Sequence, residues 1–392
     1  MFKSVLSLTL AAALGTASFG QTTLTAIPGE AAAAKYASIS QEILRAIEKG
    51  NEYLKSKQNP EGYWAQPSYP ALTALAVTAY MRDPANQGKP VPEYIRKGYD
   101  FILKSQKEDG SIFNRGMSSY NTAVCMMALL AANKEEYAPA ILKGRAYLIK
   151  QQNHFAPDNP YNGGIGYGDK QAPPIADLSN TSLALEAIYY SQKLAKDGKY
   201  GEQPDLDWNA ATEFINRCQQ NPAVNKEPWV SNDKSQLGGF VYRPGVSSAR
   251  DKKSAAFDKA EPPKAYGSMT YAGMQSLIYA NVDKNDPRVK LALKWLENSY
   301  SLDENPGMGV QGLYYYYQAM SKALSAMGID TLTLENGRKV DWRGELANKL
   351  ISIQKSDGSW VNTNNRWWEA DPVLVTSYCV LALEQLYHSI PR

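Results

Sequence analysis

The acid with the clearest chemical potential is Asp177, which opens the run Asp177-Leu178-Ser179-Asn180-Thr181 just before an apolar helical segment. A carboxyl group in an apolar cavity has a raised pKa and can serve as a general acid. The same position suits a helix N-cap, because an Asp side chain accepts hydrogen bonds from the first free N–H groups of a helix. The residue types leave both roles open.

A second pair of acids, Glu369 and Asp371, lies in Trp367-Trp368-Glu369-Ala370-Asp371-Pro372, at the start of the last apolar helix. Two carboxylates beside two Trp rings can do acid/base work or bind a sugar ring. A structural cap followed by Pro at the first helical position explains the same residues. The spacing of the two acids does not show whether their side chains converge.

Tyr is the unusual residue type, with 26 of the aromatic side chains against 8 Trp and 8 Phe. Four tyrosines are consecutive, from Tyr314 to Tyr317. On a helix we expect Tyr314 and Tyr317 to share a face, since residues three apart are neighbours. With Tyr266 and Tyr271 of the preceding repeat they would form an aromatic wall, which either stabilises cations through the ring quadrupoles or stacks on sugars.

The elements that position these residues come from a repeat. The phrase Lys-Gly-x-x-aromatic-aliphatic-x-x-x-Gln occurs at Lys49 to Gln58, Lys97 to Gln106 and Lys143 to Gln152. Weaker copies end at Gln219 and Gln354, and a degenerate copy has Tyr300 in place of Gln. A Gly turn follows, complete with Trp as Gln58-x-x-x-Gly-x-Trp64 and Gln354-x-x-x-Gly-x-Trp360.

Each phrase is one helix of a hairpin, and the two helices differ in kind. The first helices are amphipathic, whereas the second are apolar nearly all round, as in Ala71–Met81 and Thr122–Ala132. A helix that is apolar all round must be buried on all sides. We therefore predict an all-α fold, an (α/α)6 toroid with an inner ring of buried helices and an outer ring of amphipathic ones. It would occupy residues 38–392, with long loops at 153–176 and 220–265.

Composition narrows the class of protein without naming a reaction. The 392 residues contain 42 Lys+Arg and 39 Asp+Glu, a net charge of +3 that argues against a nucleic-acid binder. Residues 1–20 are typical of a signal peptide, with Lys3, a ten-residue apolar run and Ser18-Phe19-Gly20 before the cleavage point, and residues 21–37 would be a tether. We expect export to the periplasm or outside the cell, no transmembrane segment, and three buried thiols.

The repeated Gln-x-x-x-Gly-x-Trp phrase resembles the QW motif of the terpene cyclase and protein prenyltransferase superfamily, the prenyltransferase and squalene-oxidase repeat. The resemblance covers roughly Ser38 to Tyr387 and implies the toroid. It also implies that Gln58, Trp64, Gln354 and Trp360 join neighbouring repeats and are structural.

The family's catalytic signatures are not retained. The Asp-x-Asp-Asp-Thr signature of squalene cyclases corresponds to the run at Asp177, with Ser179 and Asn180 in place of two acids. The zinc ligands of the prenyltransferases align with Gln311, Leu313 and Val375, which cannot bind zinc. We therefore expect no metal and no cofactor, and we assign Asn180 and Gln311 to ligand-binding positions.

The leading hypothesis is an exported toroid that binds an elongated apolar or amphipathic molecule, such as an isoprenoid lipid, in its central cavity. Tyr266, Tyr271, Tyr314, Tyr317 and Trp367 would line the binding site. One alternative is a divergent cyclase-like isomerase or lyase acting on an isoprenoid-like lipid, with Asp177 as general acid. Another is a glycan-active toroid using Glu369 and Asp371.

Overall fold

The structure is a computed structural model that describes residues 28–168, 175–249 and 262–390. The predicted signal peptide and parts of both predicted long loops lie outside the described residues. In chain order the helices are α1 (Pro28–Ser56), α2 (Pro70–Arg82), α3 (Glu93–Lys104), α4 (Ser118–Ala131), α5 (Ala138–Lys150), α6 (Leu178–Tyr190), α7 (Gln192–Lys196), α8 (Trp208–Cys218), α9 (Gly267–Tyr279), α10 (Pro287–Asn298), α11 (Leu313–Met327), α12 (Trp342–Ser352) and α13 (Pro372–Ser389). Two short strands, β1 (Leu332–Thr333) and β2 (Lys339–Val340), pair antiparallel.

The helices form two concentric rings, as the sequence predicts. The inner ring is α2, α4, α6, α9, α11 and α13, each packed against the next, and α13 packs against α2 to close it. The inner helix α9 is buried almost throughout its length, whereas the outer helix α3 buries a single face. The all-α toroid is therefore confirmed, and its basis is the contrast between apolar and amphipathic helices.

The repeated Gln joins each hairpin to the next outer helix. Gln58 Nε2 donates to the carbonyl oxygen of Gly62 in its own turn (3.0 Å) and to that of Tyr94 in the first turn of α3 (2.7 Å). The same pair of bonds recurs at four further positions, namely Gln106, Gln152, Gln219 and Gln354. Gln354 closes the ring by reaching Ala46 of α1 (3.0 Å). In the degenerate copy the hydroxyl of Tyr300 reaches Glu345 of α12 (3.0 Å).

The Gly of each turn is required by its surroundings. At Gly358 the backbone has φ +86°, and an added Cβ would lie 2.3 Å from the carbonyl oxygen of Lys49 in α1. The Trp that follows is buried and donates from its indole nitrogen to a carbonyl at the end of the preceding outer helix, Trp64 to Leu54 and Trp360 to Leu350. The close backbone approach at the Gly and the side-chain hydrogen bonds of Gln and Trp together hold successive hairpins in contact.

The structure differs from the sequence prediction at the start of the first helix and agrees with it on the cysteines. Helix α1 begins at Pro28, within the segment 21–37 that the sequence analysis gives to a tether, so the first helix starts earlier than the sequence predicts. The three cysteines, Cys125, Cys218 and Cys379, are buried free thiols, as predicted. No helix among the described residues is long and apolar enough to cross a membrane.

Candidate functional site

The N-terminal ends of the six inner helices surround a central chamber of about 360 Å³. First-turn residues of every inner helix contribute to its wall, so the chamber lies on the axis of the toroid. The wall is dominated by tyrosine, namely Tyr120, Tyr167, Tyr242, Tyr266, Tyr315 and Tyr378. Trp367 and Trp368 lie at its rim, and leucines, methionines, two serines, Gly312 and Glu369 complete the wall. Such a size and lining are typical of a small-molecule site.

Three of these tyrosines form the floor of the chamber. Tyr120, Tyr315 and Tyr378 line both the chamber and a much smaller cavity of about 90 Å³ further along the axis. The rings of Tyr315 and Tyr378 are 6.0 Å apart, and Tyr120 and Tyr378 share a side-chain hydrogen bond. Burial raises the pKa of all three hydroxyls, so they stay neutral and act as hydrogen-bonding groups. We call these three residues the tyrosine floor.

Among the four consecutive tyrosines, the one that reaches the chamber is Tyr315. The hydroxyl of Tyr314 donates to the carbonyl of Val361 (3.2 Å), and that of Tyr317 donates to the carbonyl of Leu302. Tyr314 and Tyr317 pack against each other edge to face, as their spacing predicts, but neither lines the chamber. Tyr271 is buried against Tyr316 between α9 and α11 and also lies away from the chamber. Of the four tyrosines predicted to form the wall, Tyr266 lines the chamber, whereas Tyr271, Tyr314 and Tyr317 lie in the surrounding core.

Glu369 lines the chamber while capping a neighbouring helix. Its Oε1 accepts the backbone N–H groups of Tyr315 (2.8 Å) and Tyr314 (3.1 Å), and its Oε2 accepts from Asn362 Nδ2 (2.6 Å). The N-cap residue of α11 is Gly312, which has no side chain, so the next repeat supplies the acceptor. Burial raises the pKa of Glu369, and the hydrogen bonds act in the opposite direction. A carboxylate that accepts this many donors is placed to stabilise a helix end rather than to release a proton.

Asp177 and Asn180 lie behind the chamber wall. Asp177 caps α6, because its Oδ1 accepts the N–H of Asn180 (2.8 Å) and its Oδ2 accepts from Asn180 Nδ2 (2.7 Å). Neither side chain lines the chamber. Burial raises the pKa of Asp177 to about 6, even though these hydrogen bonds and one with Tyr242 lower it. Of the two roles that the sequence leaves open, the observed contacts are those of the cap.

The other predicted polar residues are also engaged at helix ends. Asp371 caps α13 by accepting the N–H of Val373 (2.8 Å), and it does not converge with Glu369 on the chamber. Gln311 accepts a hydrogen bond from Arg366 through its side-chain oxygen (2.9 Å) and does not line the chamber. Among the described residues no group of three His, Cys, Asp or Glu could hold a metal ion.

The rim of the chamber is built from backbone conformations that bulky residues rarely adopt. Trp367, Trp368 and Met117 all have positive φ angles, of 54°, 64° and 50°, and all three line the chamber. The Trp368 ring packs 4.7 Å from the ring of Tyr69, and Trp367 remains 45% exposed. Left-handed backbone at large side chains is costly and concentrates at functional sites. Trp367, which the sequence analysis proposes as a ligand-binding residue, thus lies at the mouth of the chamber.

Sequence reasoning did not single out several wall residues. Tyr120, Tyr242 and Tyr378 were not distinguished from core aromatics, because a tyrosine facing an axial cavity and one facing an outer helix share the same local pattern. Their position in the first two turns of the inner helices is the signal that could have found Tyr120 and Tyr378.

Comparisons with known proteins agree with this architecture. No known family model matches the chain. The type II terpene cyclase MstE from Scytonema superposes with a TM-score of 0.54 at 11% identity, over 89% of this chain and 99% of that chain. A variant of that cyclase in complex with its substrate geranylgeranyl dihydroxybenzoate gives 0.53 at 10% identity, over 90% and 99%.

A second kind of protein has the same fold. Protein geranylgeranyltransferase-I from Candida albicans, complexed with GGPP, superposes with a TM-score of 0.55 at 14% identity, over 87% of this chain and 91% of that chain. At these identities the likeness shows the fold. The chain has the α/α toroid of terpene cyclases and protein prenyltransferases.

Proposed function

We propose that this protein binds an elongated apolar or amphipathic molecule of isoprenoid type, with an uncharged head, in the tyrosine-lined chamber. The observation that carries the proposal is the chamber itself, about 360 Å³ on the axis of the toroid, with six tyrosines and two tryptophans in its wall. Apolar rings with hydroxyl edges suit a hydrocarbon chain that carries a few polar groups. The isoprenoid ligands of the two superposed proteins support the same ligand class.

The charges around the chamber favour an uncharged head over a diphosphate. Of the described residues that line it, the charged one is Glu369, and no Lys or Arg side chain contributes. Helix N-termini can bind phosphate through their free N–H groups. At three of the six inner helices some of these groups already donate to side chains of the protein, with Glu369 on α11, Asp177 on α6 and Asp371 on α13.

The proposal favours binding over proton-initiated catalysis. A general acid must reach the substrate, directly or through one water. Asp177 is held behind the wall by two bonds from Asn180, and Glu369 faces the donors of α11. We therefore place no catalytic step in the chamber. If the protein turned over a substrate and Asp177→Asn abolished that turnover, the enzyme hypothesis would be favoured instead.

Binding is tested by tryptophan fluorescence, because Trp367 and Trp368 border the chamber. Purified protein is titrated with geranylgeraniol, with geranylgeranyl diphosphate and a cello-oligosaccharide as comparison ligands. Ser179→Phe fills the chamber, since Ser179 lines it, while Ser352→Phe makes the same change on the exposed end of α12. Thermal unfolding of each variant checks that it is folded.

We expect geranylgeraniol to change the fluorescence of the wild type and of Ser352→Phe saturably. Ser179→Phe should weaken binding by about tenfold or more, because added side-chain volume in a well-packed site costs on the order of 1–3 kcal/mol. Equal binding by both variants would place the ligand elsewhere. Tighter binding of the diphosphate would overturn the uncharged head, and binding of the oligosaccharide alone would favour the glycan hypothesis.

Export and domain organisation belong to the same proposal. Residues 1–20 serve as the signal peptide, and residues 38–392 form one toroid domain. The intact mass of the protein recovered from the periplasm or medium tests this, since cleavage after Gly20 predicts a mature chain that begins at Gln21.

A further inference from the structure

The opposite end of the toroid contains a second cavity of about 500 Å³, where the inner helices end. We call it the vestibule, and it is lined by Arg82 of α2, Glu186 of α6 and Lys322 of α11, among others. These three residues also line the small 90 Å³ cavity below the tyrosine floor. The vestibule and the chamber are thus separate spaces on one axis, with the tyrosine floor between them.

The charges in the vestibule do not cancel. Lys322 Nζ lies 2.5 Å from Glu186 Oε2, and both side chains are largely buried, so these two charges neutralise each other. Arg82 donates from Nη2 to the side-chain oxygen of Gln385 (2.8 Å), which is an uncharged partner. Within the described residues no carboxylate forms an ion pair with Arg82. One positive charge therefore remains in the cavity.

The acids nearest to Arg82 do not supply the missing partner. Asp83 is buried and accepts from Asn51 Nδ2 (3.0 Å), from the N–H of Ala85 (2.8 Å) and from Asn86 Nδ2 (3.2 Å). Glu384 is completely buried, and neither of its carboxyl oxygens has a hydrogen-bond partner. Burial raises its pKa well above the usual value, against the effect of Arg82, and so favours the uncharged form.

Hydrogen-bond donors accompany the cation. The hydroxyl oxygen of Ser325, which lines the vestibule, is buried and has no partner among the described residues. A buried hydroxyl without a partner costs free energy that a bound acceptor would recover. The amide of Gln275 also lines the cavity, where it donates to Tyr279. A guanidinium group that shares a cavity with hydroxyl and amide donors suits a carboxylate, which accepts from both kinds of group.

We infer that the vestibule is a second ligand site, in which Arg82 and Ser325 bind the carboxylate of a singly charged amphipathic acid. A dianion is disfavoured, because the charge of Lys322 is used to balance Glu186 and only the charge of Arg82 is available to a ligand. Besides the three charged residues, the small cavity beyond is lined by apolar side chains, Leu75, Val124 and Leu381 among them, and these accept the start of a hydrocarbon tail. This site differs from the chamber in position, in charge and in the head group it selects.

The test compares octanoate with octanol and octylamine, three probes with one chain and three head charges, by isothermal titration calorimetry. Arg82→Gln removes the positive charge, and Gln385→Glu leaves Arg82 in place but gives it an internal carboxylate. Arg96→Gln makes the same change as the first variant at an exposed Arg of outer helix α3 and serves as the control. Circular dichroism and thermal unfolding establish the folding of each variant.

Octanoate should bind the wild type and Arg96→Gln about tenfold or more tighter than octanol, and octylamine should bind weakest. Arg82→Gln and Gln385→Glu should each remove that preference, and Ser179→Phe in the chamber should leave it unchanged. If octanoate shows no preference over octanol in the wild type, or keeps it in a folded Gln385→Glu protein, the proposal is wrong. Loss of the preference in Ser179→Phe would also overturn it, since octanoate would then occupy the chamber.

Discussion

Replacing Asp177 by Asn should change how stability depends on pH. The pKa of Asp177 in the folded chain is about 6, against an ordinary value of 3.8, because the carboxyl group is buried. Between these two values the folded protein binds a proton that the unfolded chain does not, so this group makes the protein more stable as the pH falls from 7 to 4. The difference between the two pKa values, at 1.36 kcal/mol for each unit, corresponds to about 3 kcal/mol in the free energy of unfolding.

The assay is urea unfolding followed by tryptophan fluorescence, at several values between pH 4 and pH 7. Asn keeps the shape of the cap and does not titrate. The free energy of unfolding of Asp177→Asn relative to the wild type should therefore rise with pH, by up to about 3 kcal/mol across this range. A loss of stability that is the same at every pH does not affect this result, because only the change of the difference with pH is used.

Asp286→Asn is a matched control, for which the change of stability with pH should have the opposite sign. Asp286 also caps a helix, α10, but the hydrogen bonds from the Arg288 side chain hold its pKa below the usual value. Its contribution to stability is present above the unfolded pKa and lost as the pH falls through the folded pKa. Asp286→Asn should therefore lose stability relative to the wild type at higher pH. If Asp177→Asn gives a curve parallel to that of the wild type, burial does not control this carboxyl group and our reasoning about it fails.

Three further predictions concern the joints between repeats and the end of α11. Gly358→Ala should destabilise the protein by about 2–5 kcal/mol, because its φ is positive and the carbonyl of Lys49 is close. Gly337→Ala, with φ +81° and no neighbour within contact distance, should cost only about 1–2 kcal/mol in the same urea assay. Equal costs for the two variants would contradict the steric argument. Gln354→Leu removes the bond to Ala46 that closes the ring and the bond to Gly358 within the turn, and it should lower the free energy of unfolding by about 1–3 kcal/mol, without changing the helix content seen by circular dichroism. Glu369→Gln weakens the cap of α11 and should cost about 1–2 kcal/mol, and an unchanged unfolding midpoint would show that α11 does not need the carboxylate.

The fold could be predicted because its determinants are local. The inner helices are recognised by their lack of a polar face, and the outer ones by a single apolar stripe. The turn that joins repeats is recognised because each Gln, Gly and Trp has one geometric role, which the bonds of Gln58 and Trp64 display. The start of α1 was missed because an Ala-rich segment after Pro28 has helical propensity but no apolar stripe.

The site could be predicted only in part, because its membership depends on how each inner helix is rotated about its own axis. Spacing correctly places Tyr314 and Tyr317 on a common face, but it does not say which face points to the axis. That choice comes from packing against the neighbouring helices α9 and α13, and it selects Tyr315. The cap that Glu369 provides for the neighbouring helix α11 could not be predicted either, since the short sequence pattern around Glu369 suits a cap for its own helix α13.

The two sites that we propose differ in the charge of their ligands, and the direction of the inner helices accounts for the difference. At the N-terminal end the helix dipoles would attract anions, but caps such as Glu369 and Asp177 already use the free N–H groups and leave the chamber neutral or negative. At the C-terminal end the dipoles favour cations, and Arg82, in the last turn of α2, meets that preference. The positive charge available for a carboxylate therefore lies at the end where the backbone alone would repel it. In the chamber the backbone alone would attract an anion, but its free N–H groups are capped, which is why we propose an uncharged ligand there.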